Sequence, residues 1–180
     1  MSRGVSMPLV DSASWQSTVR GLASARLQLL DDDLRSAQIS FEDYETAKRV
    51  LWDDTSSRDE SNGARARVFH HAKNFVLAMR RVGRLAADIS ANRAVFGVVP
   101  SPLLRQAWKK KESFFQRYVD PRNAIEHIDG ELKGKTSLVL MNMENDTLCV
   151  TQQDRAEVNS GALQQAIALR DEIVAAVLAK

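Results

Sequence analysis

A chain of 180 residues, 44% apolar and 27% charged, is long enough to bury one substantial core and short for two. Only 8 Gly and 4 Pro argue against a loop-rich or disordered chain, and a net charge of +2 does not announce nucleic-acid binding. The single cysteine, Cys149, excludes an internal disulfide and a Cys-based zinc site, and no apolar run reaches membrane-spanning length.

Residues 1–10 read as a loose lead-in without the charged start and sustained apolar core of a signal peptide, so a cytoplasmic protein is expected. Asp11 or Ser12 can cap a first helix, in which Trp15, Val19, Leu22, Leu27, Leu30 and Leu34 recur at helical spacing to about Arg35. Asp31-Asp32-Asp33 then falls at a solvated helix end rather than a metal site. Ser40 suits the cap of a second helix, with Ile39 and Tyr44 placed as a hydrophobic staple and Trp52 closing the apolar face. Residues 53–63 are polar throughout and without periodicity, and predict a mobile loop.

The third helix is the clearest element. Val68, Ala72, Phe75, Met79, Val82, Ala86 and Ile89 follow steps of four and three, a seam that suits either the centre of a bundle or a dimer contact. Gly83 offers close approach to a neighbouring helix. His70 and His71 diverge as sequence neighbours and read as surface residues rather than a chelating pair. Arg80, Arg81 and Arg84 flank the seam, where they can reach phosphates or simply keep a long helix soluble.

After a connection at 93–100, Ser101 and Pro102 supply the cap and first-turn residue of a fourth helix with Leu104, Trp108, Phe115 and Tyr118 on its apolar side. Lys109, Lys110, Lys111 and Arg117 interleave with these aromatics. That mixture is compatible with RNA contact, although the aromatics fit core spacing first and the lysines can be an exposed face. A strand at 136–142, a turn at 143–146 and a return at 147–151 predict a short β-hairpin. Asn159 or Ser160 opens a last helix carrying Leu163, Ile167, Ile173, Val174 and Val177. The expectation is a mostly α chain, one domain over 1–180, of five or six helices with a hairpin insertion near 136–151.

Charge is unevenly spread. Acids dominate from Asp31 to Glu60, whereas Arg65 to Arg93 carries seven bases and one acid, and Leu103 to Arg122 is basic again. Such separation can steer an anionic partner to one face, or be no more than a solvated surface.

The most informative stretch is Asp120-Pro121-Arg122-Asn123-Ala124-Ile125-Glu126-His127. Asp120 is a cap and Pro121 a first-position residue, which puts Arg122, Asn123, Glu126 and His127 in the first two turns of a helix. Its amide-rich end favours anions, a guanidinium can grip two phosphate oxygens, and an imidazole titrates near neutrality. No Gly-rich phosphate loop, dinucleotide fingerprint, nucleophile elbow or paired zinc ligands occur, so no metal or other cofactor is expected.

The spacing Arg122-Asn123-Ala124-Ile125-Glu126-His127 resembles the Arg-polar-(x)3-His signature of HEPN domains; elsewhere the likeness extends only to a run of amphipathic helices. The resemblance implies a HEPN-like bundle and metal-independent endoribonuclease chemistry, often in prokaryotic defence or toxin–antitoxin settings. It also implies a homodimer that brings two motifs together, and an RNA substrate with an antitoxin or regulatory protein as partner. Arg122 would stabilise charge on the scissile phosphate, His127 would transfer a proton, and Asn123 would orient substrate or the partner motif. Glu126 would support either Arg122 as its ion-pair partner or His127 by raising its pKa. The alternative is a non-catalytic HEPN-like binding or regulatory module, and a third reading is a helical protein whose motif match is accidental.

Overall fold

The computed structural model describes residues 22–53, 55–91, 102–131, 142–150 and 153–179, with the side chains of 22 and 126–131 outside that description. Among these residues are five helices: α1 (Leu22–Leu51), α2 (Arg58–Ala91), α3 (Pro102–Gln116), α4 (Val119–Glu131) and α5 (Ser160–Leu178). Three short strands lie between α4 and α5: β1 (Asn142–Glu144), β2 (Thr147–Cys149) and β3 (Arg155–Glu157). The protein is a mostly α-helical bundle with a small antiparallel sheet of order β1-β2-β3.

Helix α1 runs unbroken where two helices were expected. Leu27, Leu30, Leu34, Ala37, Tyr44 and Ala47 are all buried, with Phe41 and Leu51 packed against them. That stripe keeps its steps of three and four straight across Ser40, and no Gly or Pro interrupts it. Ser40 therefore caps nothing, and Ile39 is 51% exposed while Tyr44 is 2% exposed, so no staple joins them. Nearby, Ser36 returns its hydroxyl to the Asp32 carbonyl at 2.9 Å and stays within the helix. Trp52 lies one residue past α1 and is 69% exposed rather than closing the apolar face.

The expected mobile loop at 53–63 is largely helix, because α2 begins at Arg58. Ser57 and Glu60 form a capping box. The Glu60 carboxylate accepts from the Ser57 amide at 2.8 Å and its hydroxyl at 2.7 Å, and Ser57 Oγ accepts from the Glu60 amide at 3.3 Å.

Helices α1 and α2 pack antiparallel. The contacts Arg26–Asp88, Arg81–Asp33 and His71–Asp43 show it directly, since positions climb on one helix as they fall on the other. All seven residues of the α2 seam are buried by neighbours within the same chain. The seam is thus the centre of a bundle and leaves no apolar face for a second copy. At Gly83 a Cβ would stand 2.9 Å from Phe115 Cβ and Cδ1, so α3 approaches α2 as closely as a missing side chain permits.

The Asp triplet is not a solvated helix end. Asp31 is 3% exposed and binds Arg170 of α5 through both oxygens, and Asp33 binds Arg81. A mid-helix position on a three-helix contact leaves only Asp32 facing outward.

The sheet also departs from expectation. The hairpin turn is Asn145-Asp146, two residues with φ of 46° and 59°, and it pairs Glu144 with Thr147. Asn and Asp tolerate the left-handed region that a two-residue turn requires, so Met143 and Glu144 remain in β1. A third strand, Arg155–Glu157, was not foreseen; it buries Ala156 against Leu148 of β2. Expectations for residues 1–21, 92–101 and 132–141 lie outside the described residues. Helix α5 starts as expected, with Asn159 accepting from the Ala162 amide at 2.8 Å. Among the described residues, no helix is long and apolar enough to cross a membrane.

Candidate anion site at the start of helix α4

Helix α4 begins at Val119, one or two residues before the cap and first position assigned to Asp120 and Pro121. Asp120 lies in the first turn instead, where its carboxylate still suits the positive helix end. Pro121 explains why α3 and α4 are two helices: it offers no N–H, and its ring opposes the carbonyl of Arg117 four residues back. The chain turns at residues 117 and 118, where the Arg117 and Tyr118 amides reach only the carbonyls three residues behind, at 3.3 and 3.1 Å.

Tyr118 fixes that turn. Its ring is 1% exposed and packs edge-on to Phe75 and Phe114, while its hydroxyl donates to the Glu157 carbonyl of β3 at 2.9 Å. Burial first, then the charge of Glu157, raises the phenol well above its ordinary pKa. Ile125, 1% exposed, holds the next turn of α4 to the core. Between these two anchors stand Arg122 and Asn123, both half-buried.

Arg122 Nη1 donates to Asn123 Oδ1 at 3.0 Å, which sets the guanidinium against its neighbour's amide. Across from α4, on α2, lies Arg80. Burial, and then the charges of Arg122 and Arg84, hold the Arg80 guanidinium below the usual arginine value. Arg80 is half-buried and Arg84 exposed, one helical turn apart. Among the described residues, no carboxylate pairs with either of them. Arg80 therefore lies within reach of charge from its own helix and from α4.

Glu126 and His127 lie on α4, but their side chains are outside the described residues. The expected basic residues of α3 are engaged elsewhere: Lys109 with Glu112, Lys110 with Glu172 and Lys111 with Gln165. Arg117 lies 3.6 Å from Glu157 and lines an open cavity of about 280 Å³ with Phe114, Tyr118, Thr147 and Arg155. Among the described residues, no cluster of His, Cys, Asp and Glu has the makings of a metal site. His70 contacts Asn74 and His71 lies 3.7 Å from Asp43, but the two rings do not diverge as expected: they meet edge-to-face with centroids 5.2 Å apart. Cys149 is buried, and burial raises its thiol pKa.

The arginines of α2 were visible in the sequence as possible phosphate ligands, but their meeting with Arg122 was not. The one sequence signal was the four-residue spacing of Arg80 and Arg84, which places them on one face. Comparison with protein-family models, curated proteins and solved structures finds no match to this chain.

Proposed function

We propose that this chain is a HEPN-like endoribonuclease that cleaves RNA by attack of the ribose 2′-hydroxyl on the adjacent phosphorus. The observation that carries the reading is the Arg122–Asn123 pair, hydrogen-bonded at 3.0 Å in the first turn of α4 beside a second cation, Arg80. Positive charge held there matches what the phosphorane-like transition state requires, which is stabilisation of developing negative charge on phosphate oxygens.

In this mechanism Arg122 holds the phosphate, Asn123 orients the guanidinium and the strand, and His127 moves a proton. As the 2′-oxygen bonds to phosphorus, the bond to the 5′-oxygen breaks. One imidazole takes the 2′ proton and another protonates the leaving oxygen, yielding a 2′,3′-cyclic phosphate and a 5′-hydroxyl. A single His127 per chain makes a homodimer part of the proposal, with two motifs dividing the acid and base roles. Glu126 supports Arg122 or His127, and Lys109, Lys110, Lys111 and Arg117 extend contact to the strand by exchanging their present side-chain partners for phosphate. A cytoplasmic defence role with an antitoxin or regulatory partner belongs to the same proposal.

A second reading, a non-catalytic HEPN-like module, is favoured by one feature: a cationic cluster binds anions without any proton transfer. The two readings separate on purified protein with single-stranded RNA in EDTA. Catalysis predicts cleavage to cyclic-phosphate ends, DNA left intact, and a loss of about 10²–10⁴ in rate for His127→Ala. Arg122→Lys should not restore full rate, because a point charge cannot grip two oxygens. Activity that survives His127→Ala sinks the mechanism, and RNA binding without cleavage gives the binding module.

A further inference from the structure

We propose that the cavity between the α3–α4 turn and the sheet takes one nucleobase of a single-stranded RNA, a guanine. The inference rests on the RNA reading above and names the base that the reading leaves open, but it does not depend on proton transfer.

The walls of the cavity come from two distant parts of the chain. Phe114, Arg117 and Tyr118 end α3 and lead into α4, whereas Thr147, Arg155 and Glu157 belong to β2 and β3. Tyr118 ties the two together, since its hydroxyl donates to the Glu157 carbonyl at 2.9 Å. Thr147 and Glu157 are register partners, so their side chains stand on one face of the sheet, and Arg155 shares it two residues along. On the opposite face Leu148 and Ala156 are buried in the core. Buried residues thus hold the walls in place, while the Arg117, Arg155 and Glu157 side chains stay open to solvent.

Size and shape favour a single planar group. At about 280 Å³ the cavity falls just short of the roughly 300–1,000 Å³ of sites for drug-sized ligands, which suits one ring system. Phe114 is half-buried, and its ring meets Phe115 and Tyr118 only edge-on. Among the described residues no ring stacks flat on Phe114, and a base offers the face to do so.

The polar set selects the base. Two guanidiniums alone would suit any anion, but Glu157 repels anions and accepts only from donors. A ligand for this set needs N–H donors and carbonyl acceptors together on one planar body. Guanine has both: N1–H and N2–H₂ stand side by side for a carboxylate, and O6 and N7 accept from an arginine fork. Adenine, cytosine and uracil lack two adjacent N–H-bearing positions on one edge. The groups are also free to exchange partners. Arg117 stands 3.6 Å and Asn159 3.5 Å from the Glu157 carboxylate, at or beyond hydrogen-bond length, and Arg155 meets Glu144 in an exposed pair. Contacts of that kind contribute little, so a base can replace them.

The test uses the full chain and 2′-O-methyl oligouridylates, which lack the attacking hydroxyl and so report binding alone. Each carries at its centre a guanine, an adenine, a uracil, or the base of inosine, which is guanine without the N2 amino group. In fluorescence anisotropy the guanine strand should bind about tenfold more tightly than the all-uracil strand, and inosine should lose most of that gain. Glu157→Gln should bring the guanine strand down to the level of inosine and leave inosine nearly unchanged. This variant keeps the Tyr118 hydrogen bond, which goes to the backbone carbonyl. Phe114→Leu keeps an apolar wall without a ring, and should weaken the guanine and adenine strands alike. Circular dichroism melts verify that both variants fold. Equal binding of the guanine and inosine strands, or a guanine preference that survives Glu157→Gln, overturns the proposal.

A parallel arm separates a strand from a free nucleotide. Guanosine monophosphate should raise the melting temperature less than the guanine strand does. Stabilisation by the nucleotide without binding of the guanine strand overturns the strand in favour of a free guanine nucleotide. The outcome for the nuclease reading is separate. Guanine-dependent binding with no cleavage of ordinary RNA defeats the enzyme and keeps the base site. His127-dependent cleavage that Glu157→Gln and Phe114→Leu leave untouched, with no preference for guanine, keeps the enzyme and defeats the base site.

Discussion

Asp31 of α1 and Arg170 of α5 form a two-pronged buried ion pair across 139 positions of sequence, with Nε to Oδ1 at 2.8 Å and Nη2 to Oδ2 at 3.2 Å. Both side chains are under one-tenth exposed, so the pair lies inside the bundle. Its net stabilising value is small, because desolvating two charges offsets most of their attraction. Losing one partner is another matter. Arg170→Met should lower stability by about 3–5 kcal/mol, since it removes the two-pronged cationic partner of a buried carboxylate. Asp31→Leu combined with Arg170→Met should recover most of that loss. Urea unfolding midpoints of the three proteins check this, and a double variant no better than the single would refute it.

The contact between Gly83 and Phe115 yields a second prediction. Gly83→Ala improves helix propensity by about 1 kcal/mol, but the added Cβ meets Phe115 Cβ at 2.9 Å. A Cβ cannot rotate away, so the helices must separate, at about 1–3 kcal/mol for overpacking. The net expectation is a loss of up to about 2 kcal/mol. Phe115→Ala in the same background should show a clear coupling in a double-mutant cycle. A Gly83→Ala protein more stable than wild type would show that α2 and α3 are not held this closely.

A third prediction concerns pH and the join between α1 and the sheet. Asp146 accepts from the Tyr44 hydroxyl at 2.7 Å and from Lys48 at 2.6 Å. Burial raises the Asp146 pKa, but the hydrogen bonds from Lys48 and Tyr44, with the Lys48 charge, outweigh it and leave the carboxyl below its ordinary 3.8. Its contribution is therefore present above pH 3.8 and lost as pH falls through the lower folded value. For Lys48 burial is again opposed, by hydrogen bonds with Asp146 and Glu45, and its pKa rises above 10.5. For Tyr44 burial and the Asp146 bond both raise the phenol above 10.0. Those two contributions are complete below their ordinary values and are lost as pH climbs towards the raised ones. Asp146→Asn keeps a residue that tolerates the 59° φ and removes only the charge. Its cost, about 1 kcal/mol at most for a pair this exposed, should hold across neutral pH and shrink at the acid end. A cost that grows as pH falls contradicts the assignment.

Assembly is the fourth. The α2 seam is covered within the chain, so a homodimer would form through another surface, and the proposed division of acid and base roles requires one. Sedimentation equilibrium at micromolar concentration should show twice the 20.1 kDa chain mass. His127→Ala and Arg122→Ala proteins, mixed, should regain part of the cleavage rate if one site draws on both chains. A monomer across that range removes the composite site.

Where local chemistry decides the structure, the sequence was readable. The α2 seam, the closeness permitted by Gly83 and the Asn159 cap each depend on residues a few positions apart, or on one residue type. The Ser57–Glu60 box is equally local, but no apolar periodicity accompanies that polar helix start to mark it. Strand β3 offers only Arg-Ala-Glu, three residues with one buried, too little alternation to register. The fate of Asp31 depended on a basic residue at the far end of the chain, and nothing near it in sequence carries that information. The candidate site divides in the same way. Its Arg122–Asn123 adjacency and its place at a helix start were legible, whereas the approach of Arg80 and Arg84 required the packing of α2 against α4.

The Asp31–Arg170 pair also bears on the order in which the bundle assembles. Helices α1 and α2 are joined by a short connection and contact each other along their lengths, so their association requires little loop closure and can come early. That early hairpin would carry a carboxylate on its apolar side with its cation still undelivered. Docking of α5 is then more than the burial of another greasy face; it is the step that neutralises a charge waiting in the interior. Arg170→Met should accordingly alter refolding kinetics in the phase that brings α5 home, leaving the speed of α1–α2 association nearly untouched.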